Sequence, residues 1–325
     1  MIYVIPSLAA FLMILLLIKT EIFSDTPNIR SSHDKIIVTS GGIALLTAYL
    51  IYSILNDHMH VNHIIGISII SIVGILDDKY DLSKLTRFAA QFLSAIFILS
   101  TFPFTIPELF ILIIGIVFII NSYNFMDGID MLATSHALFL LSSFLLLSYI
   151  DVNEDLTYLH ENIILMLLAL IIFSYFNMTP AKIFLGNSGS YFLGIYIVAI
   201  AISLNSINII TFSILHSIFL VDTLYVLIYK FFNPNKALSN NMFYELKNRI
   251  AYIFQPHKTH NYQKMAIKCK SHMAVVGILM LYNILWCFPL AYFSIIHPNF
   301  NQLYLVMSCL PYTIVCIVNK TGKEA

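Results

Sequence analysis

Apolar residues run along this chain in long blocks, and short polar clusters separate the blocks. Most blocks approach the roughly 20 residues that a helix needs to cross a bilayer. They fall at about 2–18, 41–55, 61–76, 88–104, 108–123, 131–150, 160–176, 190–205, 208–229, 273–296 and 302–318. The pattern predicts an all-α, polytopic membrane bundle of eleven helices, with ten to eleven transmembrane spans because the second and third blocks are short. No repeat of solenoid period interrupts it, so residues 1–325 are expected to form a single transmembrane domain.

Composition supports a membrane protein and excludes several classes. Hydrophobic residues make up 59% of the 325 and charged ones 10%, against a soluble norm of roughly 45–50% and 25%. So few charges cannot clothe a water-facing surface, and so apolar a chain is not disordered. Seventeen basic residues balance seventeen acidic ones, so no nucleic-acid partner is expected. Cys287, Cys309 and Cys316 lie in apolar runs and Cys269 among lysines, with no disulfide or zinc spacing. Residues 2–18 lack a basic n-region and a small-residue cleavage site, and read as a retained first span.

Charge orients the bundle. With eleven spans and the amino terminus outside, all 17 lysines and arginines fall in inside segments: 19–40, 77–87, around Lys182, 230–272 and the tail with Lys320 and Lys323. The opposite loops carry Asp57, Glu108, Asp151, Glu154, Asp155 and Glu161 but no Lys or Arg. This is the positive-inside distribution. It makes 19–40, 77–87, 121–131, 177–190 and 230–272 the expected cytoplasmic loops of an active site.

Polar residues of other kinds gather on that same side. Asp77 and Asp78 follow the third block, and Asn121, Asn124, Asp127 and Asp130 follow the fifth at three-residue spacing. Asn187 follows the seventh, Asp222 lies within the ninth, and His257, Lys258 and His260 precede the tenth. Adjacent carboxylates near a low-dielectric medium need a cation, a partner or a raised pKa. Polar residues every third position form one slowly turning helical stripe, which Gly128 can open at its end. In GNSGS, glycines free the backbone before a helix N-terminus whose amides suit a phosphate. Carboxylates and amides for a divalent cation, amides for phosphate and a basic loop describe phosphoryl transfer at the membrane face.

Each cluster also has a plainer reading. A double Asp can be a solvated turn, and the polar stripe can line an ion pathway. GNSGS can be a helix cap, HKTH a basic loop, and Asp222 a buried hydrogen-bonding residue. Their common side favours a site over independent accidents. A transporter, the rival from another class, would place polar groups near the midplane, where only Asp222 lies.

The motifs resemble those of the polyprenyl-phosphate N-acetylhexosamine-1-phosphate transferases, glycosyltransferase family 4. DTPNIRSSH at 25–33, GG at 41–42, GILDDKYDLS at 74–83, NSYNFMDGIDMLA at 121–133, FLGNSGSYFLG at 184–194, VDT at 221–223 and PHKTHNYQK at 256–264 follow the family order. The last is more similar to the branch that initiates O-antigen, lipopolysaccharide and capsule than to the peptidoglycan branch. The resemblance implies transfer of a sugar 1-phosphate from a UDP-N-acetylhexosamine to polyprenyl (undecaprenyl) phosphate, with Mg²⁺, at a bacterial inner membrane. Asp77 and Asp78 would orient or deprotonate the lipid phosphate. Both are expected to matter for turnover and little for folding. Asn121, Asn124, Asp127, Asp130, His257, Lys258 and His260 would bind the nucleotide sugar, and Asn187 with Asn124 the metal. Membrane lipid is a further expected partner, and a homodimer is compatible with the reading.

The chain departs from the family pattern at four places. The metal-binding Asp is Asn187, the Arg of the PTPRGGG run is Thr39, the last Gly of DGIDGLA is Met131, and residues 231–255 form a longer connection. Asn187 and Thr39 leave open a catalytically silent homologue that binds lipid phosphate or nucleotide. For the topology, Ser239→Cys in intact cells is expected to resist an impermeant thiol reagent, because loop 230–272 carries eight of the 17 basic residues. Ready labelling from outside would overturn the orientation.

Overall fold

The computed structural model describes residues 2–25, 36–56, 60–150, 156–233, 242–253 and 258–323. Two short strands, β1 (Ser24–Asp25) and β2 (Ile37–Val38), pair antiparallel. The regular structure is otherwise helical among the described residues. The first eight blocks are single helices: α1 (Val4–Thr20), α2 (Gly42–Leu55), α3 (Val61–Tyr80), α4 (Lys84–Leu99), α5 (Ile106–Met126), α6 (Leu132–Ser148), α7 (Thr157–Asn177) and α8 (Gly186–Ser203). The ninth is α9 (Ile209–Leu215) and α10 (Ser217–Phe232). Two short helices, α11 (Met242–Ile253) and α12 (Asn261–Cys269), lie in the polar segment after it. The tenth block is α13 (His272–Tyr282) and α14 (Phe288–Ile296), and the last is α15 (Asn301–Val318).

This is an all-α polytopic membrane protein. Six helical segments are long and apolar enough to cross a membrane, or seven if the bent α9–α10 pair is one span. α1, α2 and α6 are apolar but shorter. All eleven expected helical blocks are present, but length and hydropathy alone qualify fewer than the ten to eleven expected crossings. α4 explains part of the difference. Ser83 caps it by accepting from Thr86 N, so Lys84, Arg87 and Gln91 enter the helix and lower its hydropathy.

α8 is the central helix, buried without interruption from Ser188 to Ala201. A helix that is apolar all round needs neighbours all round, and α2, α3 and α5 supply them. α2 crosses at a glycine pair, where a Cβ on Gly42 would lie 2.1 Å from Gly189 N.

The ninth block is broken rather than straight. α9 and α10 meet at 83° around His216, with no Pro or Gly at the break. His216 stays bonded to both helices: its N–H donates to Phe212 O, and its carbonyl accepts from Leu220 N. The buried His216 ring explains the arrangement. Its Nε2 lies 3.0 Å from Ser122 Oγ and its Nδ1 3.0 Å from His136 Nε2. Asn283 Nδ2, at the start of a π-helical turn (Asn283–Cys287), lies 3.2 Å from His136 Nδ1. Buried polar groups must be paired, and here the pairing joins α5, α6, the α9–α10 corner and the α13–α14 turn. Gly42→Ala is expected to lower the thermal midpoint of the detergent-solubilised protein, since overpacking typically costs about 1–3 kcal/mol. An unchanged midpoint would mean that α2 and α8 do not meet at that pair.

Candidate functional site

The site begins where β2 leads into α2. Phe184 N donates to Val38 O, Gly41 N to Phe184 O and Gly42 N to Leu185 O, so the segment before α8 is laid against this corner. Gly186 follows with φ 73°. A Cβ there would lie 2.7 Å from Asp78 Oδ2, so both its backbone angle and the close carboxylate call for glycine.

Asp78 closes the N-terminus of α8. Its Oδ1 accepts from Asn187 N at 2.7 Å, and its Oδ2 accepts from Ser188 N at 3.1 Å and Ser40 Oγ at 2.7 Å. The first N–H groups of a helix lack intrahelical acceptors and carry partial positive charge, and a carboxylate answers both needs. This changes the expectation for GNSGS. The motif is the first turn of α8, and two of its amides are held by Asp78 rather than open to a phosphate.

Asp77 is also engaged. Buried, it accepts from Leu82 N at 2.8 Å, from Tyr191 Oη at 3.3 Å and from Arg87 Nη1 at 3.3 Å. Arg87 keeps 26% of its side chain exposed and lines a cleft of about 700 Å³ with Gln91, Asn121, Asn124, Tyr191 and His260. Asn121 exchanges amide hydrogen bonds with Gln91 across this wall.

The three-residue stripe holds only in part. Asn121 and Asn124 are on α5, but the helix ends at Met126 with Asp127 as its C-cap, and Asp130 lies in the turn beyond. Asn124 Nδ2 donates to Asn187 Oδ1 at 2.6 Å and to Ser190 Oγ at 3.2 Å. In this arrangement Asn124 presents its nitrogen to Asn187, so it orients that amide instead of joining it as a second oxygen ligand. Burial, with the like charges of Asp78 and Asp130, pushes the Asp127 carboxyl well above the usual range, against one backbone N–H from Gly186. Asp130 goes the other way. Burial opposes its ionisation, but hydrogen bonds from His272, Thr179 and the Ala181 amide outweigh that and lower its pKa.

The departure at Met131 has a structural counterpart. Its φ is 68°, a left-handed conformation that glycine adopts without penalty. The side chain is 8% exposed, and Asn177 Oδ1 accepts from its N–H at 3.0 Å. Burial of the methionine and this bond offset the strained backbone.

Asp222 repeats the Asp78 device at α12. It is fully buried. Its Oδ1 accepts from Asn261 N at 3.1 Å and lies 2.8 Å from His260 Nδ1. Its Oδ2 accepts from Tyr262 N at 3.2 Å and Tyr312 Oη at 2.8 Å. The N-terminal amides of α12 and the ring of His260 are thus fixed by one carboxylate from α10. The segment after α15 braces the same corner: Gly322 N donates to Thr259 O, and Asn319 Nδ2 donates to Asn261 Oδ1 at 2.7 Å.

Asp77, Asp78, Asn121, Asn124, Asp127, Asn187 and His260 therefore share one end of the bundle. Asp130 lies on the far side of its turn, against Thr179 and His272, and Lys258 is exposed. His257 lies outside the described residues, as do parts of loops 19–40 and 230–272. Arg87, Gln91, Tyr191 and Ser40 were not singled out from the sequence. Arg87 had a signal, since it closes the charged GILDDKYDLSKLTR run. No group of three His, Cys, Asp or Glu residues among the described residues is arranged to hold a metal. The donor set nevertheless suits a hard divalent cation. Asn187 offers an amide oxygen, and the like charges of Asp78, Asp127 and Asp130 would be relieved by one.

Comparison with known proteins bears on these same residues. The model of "Glycosyl transferase family 4" matches residues 60–205, which include Asp77 to Asn187 but not Asp222 or His260. A probable undecaprenyl-phosphate N-acetylglucosaminyl 1-phosphate transferase of Bacillus subtilis is 33% identical over 189 residues, covering 52% of each chain. An undecaprenyl-phosphate alpha-N-acetylglucosaminyl 1-phosphate transferase of Thermotoga maritima is 25% identical over 312 residues, 93% of this chain and 91% of that one. A phospho-N-acetylmuramoyl-pentapeptide-transferase of Staphylococcus epidermidis is 30% identical over 225 residues, 58% of this chain and 68% of that one. The match thus spans about half the length of the Bacillus relative and nine-tenths of the Thermotoga one.

The expectation that Asp78 matters little for folding is revised by its bonds. Asp78→Ala should lower the thermal midpoint of the purified protein, because unsatisfied buried donors cost about 1–3 kcal/mol. Asp78→Asn, which keeps one acceptor oxygen, should lose less. A midpoint for Asp78→Ala equal to that of the parent would remove the carboxylate as the cap of α8.

Proposed function

Because this chain belongs to glycosyl transferase family 4, we propose that it transfers an N-acetylhexosamine 1-phosphate from a UDP-sugar to polyprenyl phosphate at the cytoplasmic face of a bacterial inner membrane. An oxygen of the lipid phosphate attacks the sugar-linked phosphorus. The phosphoanhydride bond breaks, UMP leaves, and polyprenyl-diphospho-sugar remains. With both phosphates ionised no proton need be gained or lost.

The observation that carries this reading is the convergence of Arg87, Asn121, Asn124 and His260 on one cleft at the end of an apolar bundle. There a soluble nucleotide and a lipid headgroup can meet. A dianionic acceptor needs no general base, and both members of the Asp77–Asp78 pair already accept hydrogen bonds. Their role in this reading is positioning. Asp77 holds Arg87, a bidentate phosphate donor in kind, at the cleft wall, and Asp78 holds the start of α8 and so Asn187. His260, fixed by Asp222, lines the same cleft where the phosphate or sugar would lie.

Mg²⁺ is part of the proposal. Asn187, with Asp127 near it, would hold the ion, which when bound neutralises diphosphate charge. An amide brings no charge of its own, so the site should bind Mg²⁺ weakly.

The test is purified protein with polyprenyl phosphate, Mg²⁺ and a panel of UDP-sugars, followed by UMP release. One donor among the N-acetylhexosamines should give UMP and a lipid-linked product. Binding of nucleotide without UMP from any donor would favour the silent homologue instead. Within an active enzyme, Asn187→Asp should lower the Mg²⁺ concentration for half-maximal rate, because a carboxylate replaces an amide beside the same Asn124 donor. Coincident Mg²⁺ titrations for the two forms would remove position 187 from the metal site.

A further inference from the structure

The connection between α10 and α12 holds a helix that the proposed reaction leaves without a role. α11 is tied to the last turn of α10 from both sides. Arg249 Nη1 donates to Phe231 O at 2.6 Å, and its guanidinium lies 5.7 Å from the Phe231 ring centre. In return, Lys230 Nζ reaches Tyr252 O at 3.5 Å and sits 4.8 Å from the Tyr252 ring centre. Arg249 and Tyr252 are three residues apart, on the face of α11 turned to α10.

Another face of α11 has no such cover among the described residues. Leu246 and Ile250, four residues apart, are 44% and 45% exposed, with exposed Lys247 beside them. The outer stripe of α10 is similar: Leu224, Ile228 and Phe232 are exposed, while Val226 and Lys230 on its other side are buried. In a membrane bundle an outward apolar stripe faces lipid, and this one runs to the last residue of α10. The two clamps therefore hold α11 where the lipid-facing surface of α10 ends. Leu246 and Ile250 put further exposed apolar side chains next to that end, and Ile253 at the end of α11 lines the cleft.

We propose that α11 lies in the headgroup–acyl boundary of the bilayer, with Leu246 and Ile250 among the acyl chains and Lys247 at anionic headgroups. An apolar stripe flanked by basic side chains is the pattern of an interfacial helix, and a lysine stem reaches along apolar surface while its ammonium stays at the lipid phosphates. One wall of the cleft is then held by the membrane itself. The placement stands apart from the reaction, so it survives even if no sugar is transferred.

The test uses the full chain with Cys269→Ser and Cys309→Ser, an environment-sensitive fluorophore attached at Leu246→Cys, Lys247→Cys or Ile250→Cys, and nanodiscs of phosphatidylcholine and phosphatidylglycerol. Lipids spin-labelled high on the acyl chain should quench positions 246 and 250 several-fold more than position 247, while aqueous iodide should show the opposite order. Equal lipid quenching at all three positions, or none, would overturn the proposal. So would shielding of position 250 that appears in detergent and disappears on dilution, since a second copy would then be the cover. As a second reading on the unmodified chain, amide exchange across α11 should be slower in nanodiscs with phosphatidylglycerol than in phosphatidylcholine alone, and equal rates would count against it.

Discussion

A helix that starts inside a protein brings amide hydrogens with no partner of their own, and the working end of this bundle is organised around two such starts. Asp78 closes α8 and Asp222 closes α12. Each aspartate comes from a different helix, 109 and 39 residues away from the amide it meets first. A carboxylate there satisfies donors and meets the positive end of the helix dipole together. Asn187 in the first turn of α8 and His260 at the N-cap of α12 inherit their positions from those bonds. Loss of either cap would therefore move a site residue without touching it.

Much of this could be read from the chain, for definable reasons. The helices were legible because each apolar block is long and ends in a polar cluster. The clusters were legible as one site because they share a side in the alternation of spans. The helix break at His216 was not, since nothing punctuates SILHSIFLVD. It follows from the rings of His136 and His216 and the side chains of Ser122 and Asn283, which meet only after α5, α6 and α13 have packed. The partners of Asp77 and Asp78 were hidden for a similar reason. Adjacent aspartates announce that charge needs an answer, but only the fold says that Arg87 and the start of α8 supply it. The polar stripe from Asn121 to Asp130 was drawn too far, because α5 ends at Met126 and its last two members belong to a turn.

Asn124 illustrates how a side chain's type and its role can separate. The family resemblance makes it an expected metal ligand. Folding turns its nitrogen toward Asn187 and Ser190, so it aims another amide. The same holds for Asp222, which its sequence position allowed as a plain buried acceptor. It is one, and by being one it sets the ring of His260.

The pairing of the carboxylates also governs the electric field that an incoming ligand meets. Asp77 stands against Arg87, Asp78 and Asp222 against helix N-termini, and Asp130 against His272 and the Thr179 hydroxyl. Asp127 is left with like charges as its main neighbours and one amide to answer them. A pocket so rich in acids is thus close to neutral over most of its floor, because the one carboxyl without an answering positive group, Asp127, is also the one that burial and its neighbours push toward its neutral form. Phosphate-bearing molecules can approach such a surface without broad repulsion. Ionic strength, which acts on long-range fields more than on close pairs, should have little hold over their entry.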